Sequence, residues 1–323
     1  MILPYSLKLF CLCLASFFLV HGVLGLAVWL AAPAAIRLAE TMRARMAARF
    51  LLFLRVLPML LAGVVVLGVG VPSYMWLEPQ TTGESVGLAC FAAALLGLAI
   101  WCISIARASR LILRSSHYMR QCKRIGQEIS IEGASVRTSR LELDAPVIAL
   151  AGVFRPMVWV SRSVIDVLSA EQLDAALRHE NAHRVSRDNL KRLLFRLAPD
   201  IFPLTLGLGS FERAWARFSE WAADDEATRG DARLSLSLAG ALVRVARLGA
   251  APPRSVSWTP LIAGDLSARV DRLLRKTAAT PAPVWRGSAL LGVATIVTVF
   301  TATMMQWPVI LRAAHEILER LVS

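Results

Sequence analysis

Not one lysine or arginine occurs between Arg55 and Arg107, where Glu78 and Glu84 are the only charged residues. Charge is scarce across the whole 323-residue chain, at 18% Asp, Glu, Lys and Arg against 56% hydrophobic residues. That balance excludes an ordinary soluble domain and calls for membrane spans. The five cysteines, Cys11, Cys13, Cys90, Cys102 and Cys122, lie in or beside apolar runs and have no paired spacing. They encode neither a disulfide framework nor a cysteine metal knuckle and read as packing residues. Histidine is limited to five residues, which makes the placement of two of them informative.

Four uncharged stretches reach the roughly 20 residues needed to cross about 30 Å of hydrocarbon: Leu9–Ile36, Val56–Leu77, Ser85–Ala106 and Gly287–Leu311. The first is too long for the apolar core of a signal peptide, and the main basic cluster follows it, so it reads as a retained helix. His21 inside it reads as a neutral imidazole bonded to a neighbouring helix. The net charge of +13 is unevenly spread. Arg37, Arg43, Arg45 and Arg49 follow the first stretch, and Arg107, Arg110, Arg114, Arg120, Lys123 and Arg124 follow the third. Residues 78–84 carry no basic residue. The positive-inside rule then makes both basic segments cytoplasmic and both termini external. Arginines beside anionic lipid account for the charge. No recognition motif accompanies them, and no direct nucleic-acid partner is expected.

The expected domains are a three-helix transmembrane region at 1–107, a cytoplasmic domain at 108–286, a fourth span at 287–311 and a short external tail at 312–323. The tail is expected to lie on the membrane as an amphipathic helix. Strand-like runs at 129–131, 139–143, 147–150 and 158–160 are punctuated by Gly133, Pro146, Gly152 and Pro156. From Ser169 the period becomes helical. Ser169 and Gln172 form a capping box, and the pattern continues without Gly or Pro to Pro199. The fold class is therefore a mainly α membrane protein of four transmembrane helices, with an α+β domain inserted between helices three and four. The run VIALAG at 147–152 is a sheet edge to which an extended peptide can add as a strand. The apolar run at 197–211, broken by Asp200, Pro203 and glycines, is too interrupted for a span. It is expected to pack over the site or dip into the membrane interface.

The helix carries RHENAHRVSRD, residues 178–188. His179 and His183, four apart, share a helix face with Cβ atoms about 5–6 Å apart. They can converge on one metal ion with bonds of about 2.0–2.1 Å. Glu180 is turned by about 100° from His179, beside the ion rather than on it, where it can take a proton from metal-activated water. With so few histidines, H-E-x-x-H arises by chance in about 0.003 chains of this composition. The remaining histidines, His21, His117 and His315, offer no third ligand downstream in the same compartment, so a carboxylate is expected. FSEWAADDEA, residues 218–227, supplies Glu220 as that ligand and Asp224, four residues on, as acceptor for a histidine N–H. Glu212 and Glu226 are rotated by about 80° and 120° from Glu220 and do not share its aim. The alternative for this stretch is a solvated acidic helix face. Asp188 and Asn189 read as residues that end or brace the active helix.

HENAH followed by E-x-x-A-D at 220–224 resembles the membrane gluzincins, which include prenyl-protein-processing and quality-control membrane proteases. The run at 145–190 is more similar to the cytoplasmic protease domain of the bacterial β-lactam sensor-transducers, a family with three spans, a zinc domain and a fourth span. The resemblance implies a zinc metalloendopeptidase of the bacterial inner membrane. His179, His183 and Glu220 would hold Zn2+, and Glu180 would be the base. ARVDRL, matching a late R-[IV]-x-x-L stretch of membrane gluzincins, implies a role for Arg269. The implied substrate is a cytoplasmic regulatory protein such as a transcriptional repressor, or the protease itself. A quality-control protease and a catalytically idle zinc-containing receptor or scaffold are the alternatives. The best-known sensors carry a penicillin-binding domain after the last span, whereas this chain ends at Ser323, so direct β-lactam sensing is not expected of it.

Overall fold

The computed structural model describes residues 4–77, 86–129, 138–142, 145–200, 209–249, 258–260 and 265–275, with 309, 312–313 and 316–317. It is mostly helical, with one small sheet. Three helical segments are long and apolar enough to cross a membrane, and they coincide with the first three expected spans. They are α1 (Tyr5–Glu40), the pair α2 (Ala44–Val65) and α3 (Val71–Leu77) joined by a π-helical turn at Val66–Gly70, and α4 (Leu88–Ile125). The expected fourth span apart from Val309, the acidic segment 78–84 and most of the tail lie outside the described residues. So do residues 130–131 of the first expected strand and 201–208 of the interrupted apolar run.

By contact the chain divides into two units, and α1, α2 and α4 each contribute to both. The first unit holds Met1–Val28, Leu57–Cys102 and Thr280–Ser323. Its described helices pack through one cluster around Leu12, Ala15, Tyr74, Cys90 and Ala94 and another around Phe17, Ala62, Val66 and Ile100. Small residues let the backbones approach. A Cβ at Gly97 of α4 would lie 2.5 Å from the Leu14 carbonyl oxygen of α1.

The second unit holds Trp29–Val56 and Ile103–Ala279. Its sheet has the order β1-β2-β4-β3-β5, with strands β1 (Gly126–Ile129), β2 (Thr138–Leu141), β3 (Ile148–Ala151), β4 (Met157–Ser161) and β5 (Trp258–Pro260). Only β2 and β4 pair in parallel. β3 is fully buried and has a neighbour on each side: β4 on one, and on the other β5, antiparallel, with Leu150 opposite Thr259. The expected free edge at 147–152 is thus covered. Gly152 ends β3 at φ 102°, and a Cβ there would sit 3.0 Å from the Arg155 carbonyl oxygen, so the β3–β4 turn requires glycine.

Behind the sheet lie α5 (Arg162–Val167), α6 (Ala170–Ser186), α7 (Asp188–Leu197), α8 (Gly209–Thr228), α9 (Ala232–Arg247) and α10 (Leu266–Arg275). Ile148, Leu150, Val158 and Val160 of the sheet form one core with Leu173, Ala176 and Leu177 of α6, Leu238 and Leu242 of α9 and Leu273 of α10. The capping box at the start of α6 is complete: Gln172 N–H donates to Ser169 Oγ at 3.3 Å and Ser169 N–H to Gln172 Oε1 at 3.2 Å. The uninterrupted helix expected to Pro199 is instead two. Arg187 adopts the left-handed conformation (φ 55°, ψ 41°), closes α6 and opens α7, a conformation that costs an L-residue roughly 1–2 kcal/mol. At its far end α7 is capped from α2. Arg55, buried, donates to the carbonyls of Ala198 at 2.8 Å, Pro199 at 3.0 Å and Phe195 at 3.4 Å.

Candidate metal centre

α6 and α8 pack against each other and bring two histidines and a carboxylate together in the interior. His179, Glu180 and His183 are fully buried, and Glu220 is 3% exposed. The Nε2 atoms of His179 and His183 are 3.1 Å apart. Glu220 Oε2 lies 3.5 Å from His179 Nε2, and its Oε1 lies 3.6 Å from His183 Nε2. Among the described residues these three form the one group of side chains placed to hold a metal ion.

Behind each histidine stands a carboxylate. His179 Nδ1 is 2.9 Å from Asp224 Oδ1, and His183 Nδ1 is 2.7 Å from Asp188 Oδ2. An ionised carboxylate only accepts, so Nδ1 carries the proton in both rings and both Nε2 lone pairs face the gap between them. Two lone pairs at 3.1 Å cannot bond one another. The gap therefore calls for a proton or a metal cation. In the metal-free site the proton is favoured. Burial opposes charge on His183, but the Glu220 carboxylate, then hydrogen bonds to Asp188 and Glu220, outweigh it and raise its pKa to about 10. His179 is raised too, against burial, by Asp224 and Glu220.

Asp188 owes its position to the break at Arg187. Its carboxylate also accepts from Lys191 Nζ at 2.8 Å and Ser219 Oγ at 2.9 Å. Burial would raise its pKa, but the His183 bond and the charges of His183 and Lys191 hold it well below the usual range. Asn189, next along, donates to the carbonyls of Leu150 at 3.2 Å and Gly152 at 2.8 Å, tying α7 to the end of β3. Bracing of the helix is what the sequence predicts for both residues; the contact of Asp188 with His183 is not predicted by it. Its one sequence signal was an acid five residues after the second histidine.

Arg269, 1% exposed on α10, lies against the same group. Its Nε and one Nη grip Asp224 at 2.9 and 2.6 Å, and the other Nη is 3.1 Å from Glu220 Oε2. Burial disfavours its charge, and Asp224 and Glu220 more than restore it. Glu220 is held ionised against burial chiefly by His183 and Arg269, and Asp224 by Arg269 and His179.

Glu180 differs from these carboxylates. Neither of its oxygens has a hydrogen-bond partner among the described residues. Burial pushes its pKa up to about 7, with His179 and His183 opposing, Glu220 adding, and the Leu150 amide favouring the charged form from beyond good hydrogen-bond geometry. The competing carboxylates point elsewhere: Glu212 pairs with Arg196 at 2.9 Å, and Glu226 with Arg229 and Arg45 at the surface. No family model and no curated protein matches the chain.

Proposed function

We propose that the chain is an integral-membrane zinc metalloendopeptidase of the membrane-gluzincin kind, resembling the protease of the bacterial β-lactam sensor-transducers. It cleaves a cytoplasmic regulatory protein or itself. In this reading Gly287–Leu311 forms a fourth span, the domain between spans three and four is cytoplasmic, and both termini are external. The observation that carries the proposal is the triangle of ligand atoms. Four bonds of about 2.1 Å in a tetrahedron set their ends about 3.4 Å apart, and the separations here are 3.1, 3.5 and 3.6 Å. Two imidazoles and one carboxylate are the donor set of catalytic zinc sites that keep a position open.

His179, His183 and Glu220 would hold the zinc, which when bound supplies a Lewis acid that acidifies water and polarises a carbonyl. Glu180 has the properties of the base. Its oxygens are uncommitted and lie beside the ligand group, where the carboxylate would take a proton from water and return it to the departing amine. Asp224 and Asp188 fix the tautomers that aim both Nε2 atoms inward. Arg269 orients Asp224 and Glu220. β5 supports the self-directed version, since a segment of the chain already lies antiparallel along the strand whose Leu150 neighbours Glu180.

The test is hydrolysis of a generic peptide by the purified full chain, with chelator and with zinc restored, and mass spectrometry of the chain itself. Chelator-sensitive cleavage that Glu180→Gln abolishes is the expected result. A cut near Trp258–Pro260 assigns the chain as its own substrate. No hydrolysis by zinc-loaded protein returns the chain to the idle receptor or scaffold.

A further inference from the structure

The turn between β3 and β4 carries an apolar side chain that no described residue covers. Phe154 is 70% exposed, and Arg155 beside it is exposed as well. Val153, immediately before them, is buried against Ala108, Leu111 and Ile112 of α4 and Leu193 of α7. Its neighbour on α4 locates it. The uncharged run of α4 ends at Ala106, and Ala108 lies about 3 Å further along the helix axis. The headgroup layer on each side of a bilayer is about 5–7 Å thick, so with the uncharged run of α4 in the hydrocarbon, Ala108 and the turn packed on it would stand at headgroup depth.

A second marker within the same unit agrees. Arg55 is the residue before the uncharged run of α2, and its guanidinium caps α7 at Ala198 and Pro199. The end of α7 and the turn that packs on α7 are thus each joined to a long apolar helix within two residues of the end of its uncharged run.

We propose that Phe154 and Arg155 form a lipid-interface anchor, the phenyl ring entering the boundary between headgroups and acyl chains and the guanidinium meeting anionic phosphate. An aromatic ring next to a cation is the pairing suited to that layer. The occupant is the bilayer that the spanning helices cross. The inference rests on membrane insertion and not on peptidase activity. Because Asn189 and the turn both hold the end of β3, the anchor sets the strand beside Glu180 at the membrane surface.

The test places a polarity-sensitive fluorophore at Phe154→Cys in the full chain, reconstituted in vesicles of phosphatidylethanolamine and phosphatidylglycerol with brominated acyl chains. Cys102, the one exposed native cysteine, is replaced by serine, and the signal of that parent is subtracted. Leu236→Cys on α9, 60% exposed, is the aqueous control. The expected result is blue-shifted emission and loss of most fluorescence to bromine at 154, with neither at 236. Arg155→Cys serves in the same role if Phe154→Cys does not fold, and is expected to show shallower quenching. Emission at 154 as red and as unquenched as at 236 overturns the proposal. A blue shift that survives in detergent and disappears on dilution assigns the side chain to a second copy and equally overturns it.

Discussion

Replacing Arg269 by methionine keeps most of the apolar stem and deletes the guanidinium that pairs with two buried carboxylates. Asp224 would lose contacts of 2.6 and 2.9 Å, and Glu220 one of 3.1 Å. Removing one partner of a buried ion pair costs about 3–5 kcal/mol, because the other charge is left without compensation. For a domain of this size each kcal/mol moves the melting point by about 2–4 °C, so the metal-free variant should melt roughly 6–20 °C below the parent. Zinc changes the comparison. A cation between His179, His183 and Glu220 takes over the pairing of Glu220 that Arg269 supplied. The zinc-induced rise in melting temperature should therefore be larger in Arg269→Met than in the parent. Thermal unfolding of the solubilised chain with zinc and with chelator measures both quantities, and Trp215 and Trp221 on α8 offer a fluorescence signal close to the site. A metal-free variant that melts with the parent, or a zinc shift no larger than the parental one, would refute this account of Arg269.

Glu180→Gln should keep about one zinc per chain and lose activity by about 10²–10⁴-fold, as elemental analysis and peptide hydrolysis would report. Glu220→Gln should lose both metal and activity, while Glu212→Gln, whose side chain pairs with Arg196, should keep both. The reverse pattern would reassign the third ligand. Asp188→Asn should weaken zinc by about 10–100-fold in competition with a chromophoric chelator, and unchanged affinity would reduce Asp188 to a helix brace. In the metal-free protein the pKa of His183 is raised from 6.5 to about 10. At pH 7 zinc must therefore displace a proton, and calorimetry in buffers of different ionisation enthalpy should count about one. The same shift stabilises the metal-free fold fully below pH 6.5 and is lost as pH rises through about 10, so chelated protein should melt lower at pH 10 than at pH 6.5.

What could be read from the sequence was local. The start of α6 needs only Ser169 and Gln172, and the pairing of His179 with His183 follows from one turn of helix. The three described apolar helices follow from run length. Glu220 and Asp224 were reachable because they share a face of one helix. The left-handed residue was not legible, since arginine carries no preference for that conformation and nothing like glycine marks the break. On an unbroken helix Asp188 would be turned about 140° from His183, so its contact could not be foreseen without the break. β5 is three residues long, ends in Pro260 and pairs Thr259 with Leu150, 109 residues earlier. No periodic signal predicts such a pairing, and 147–152 therefore read as a free edge. The cap from Arg55 joins residues more than 140 apart and is equally silent in sequence.

The short helix α7 is held along its length by Asn189 on β3 and Leu193 against Val153, and its two ends add a lever between α2 and Asp188. It is a rod of 10 residues, about 15 Å long, gripped at one end by Arg55 and jointed at the other by a single left-handed residue. Asp188 sits beside the joint. A sideways displacement of about 1 Å at the far end turns the rod by about 4° but carries Asp188, one 1.5 Å rise from the pivot, by about a tenth of an ångström. A thrust along the axis would move Asp188 by the full amount, opposed by the bonds of Asn189 to Leu150 and Gly152. As a lever, the helix from Arg55 to Asp188 is therefore stiffer to push than to tilt.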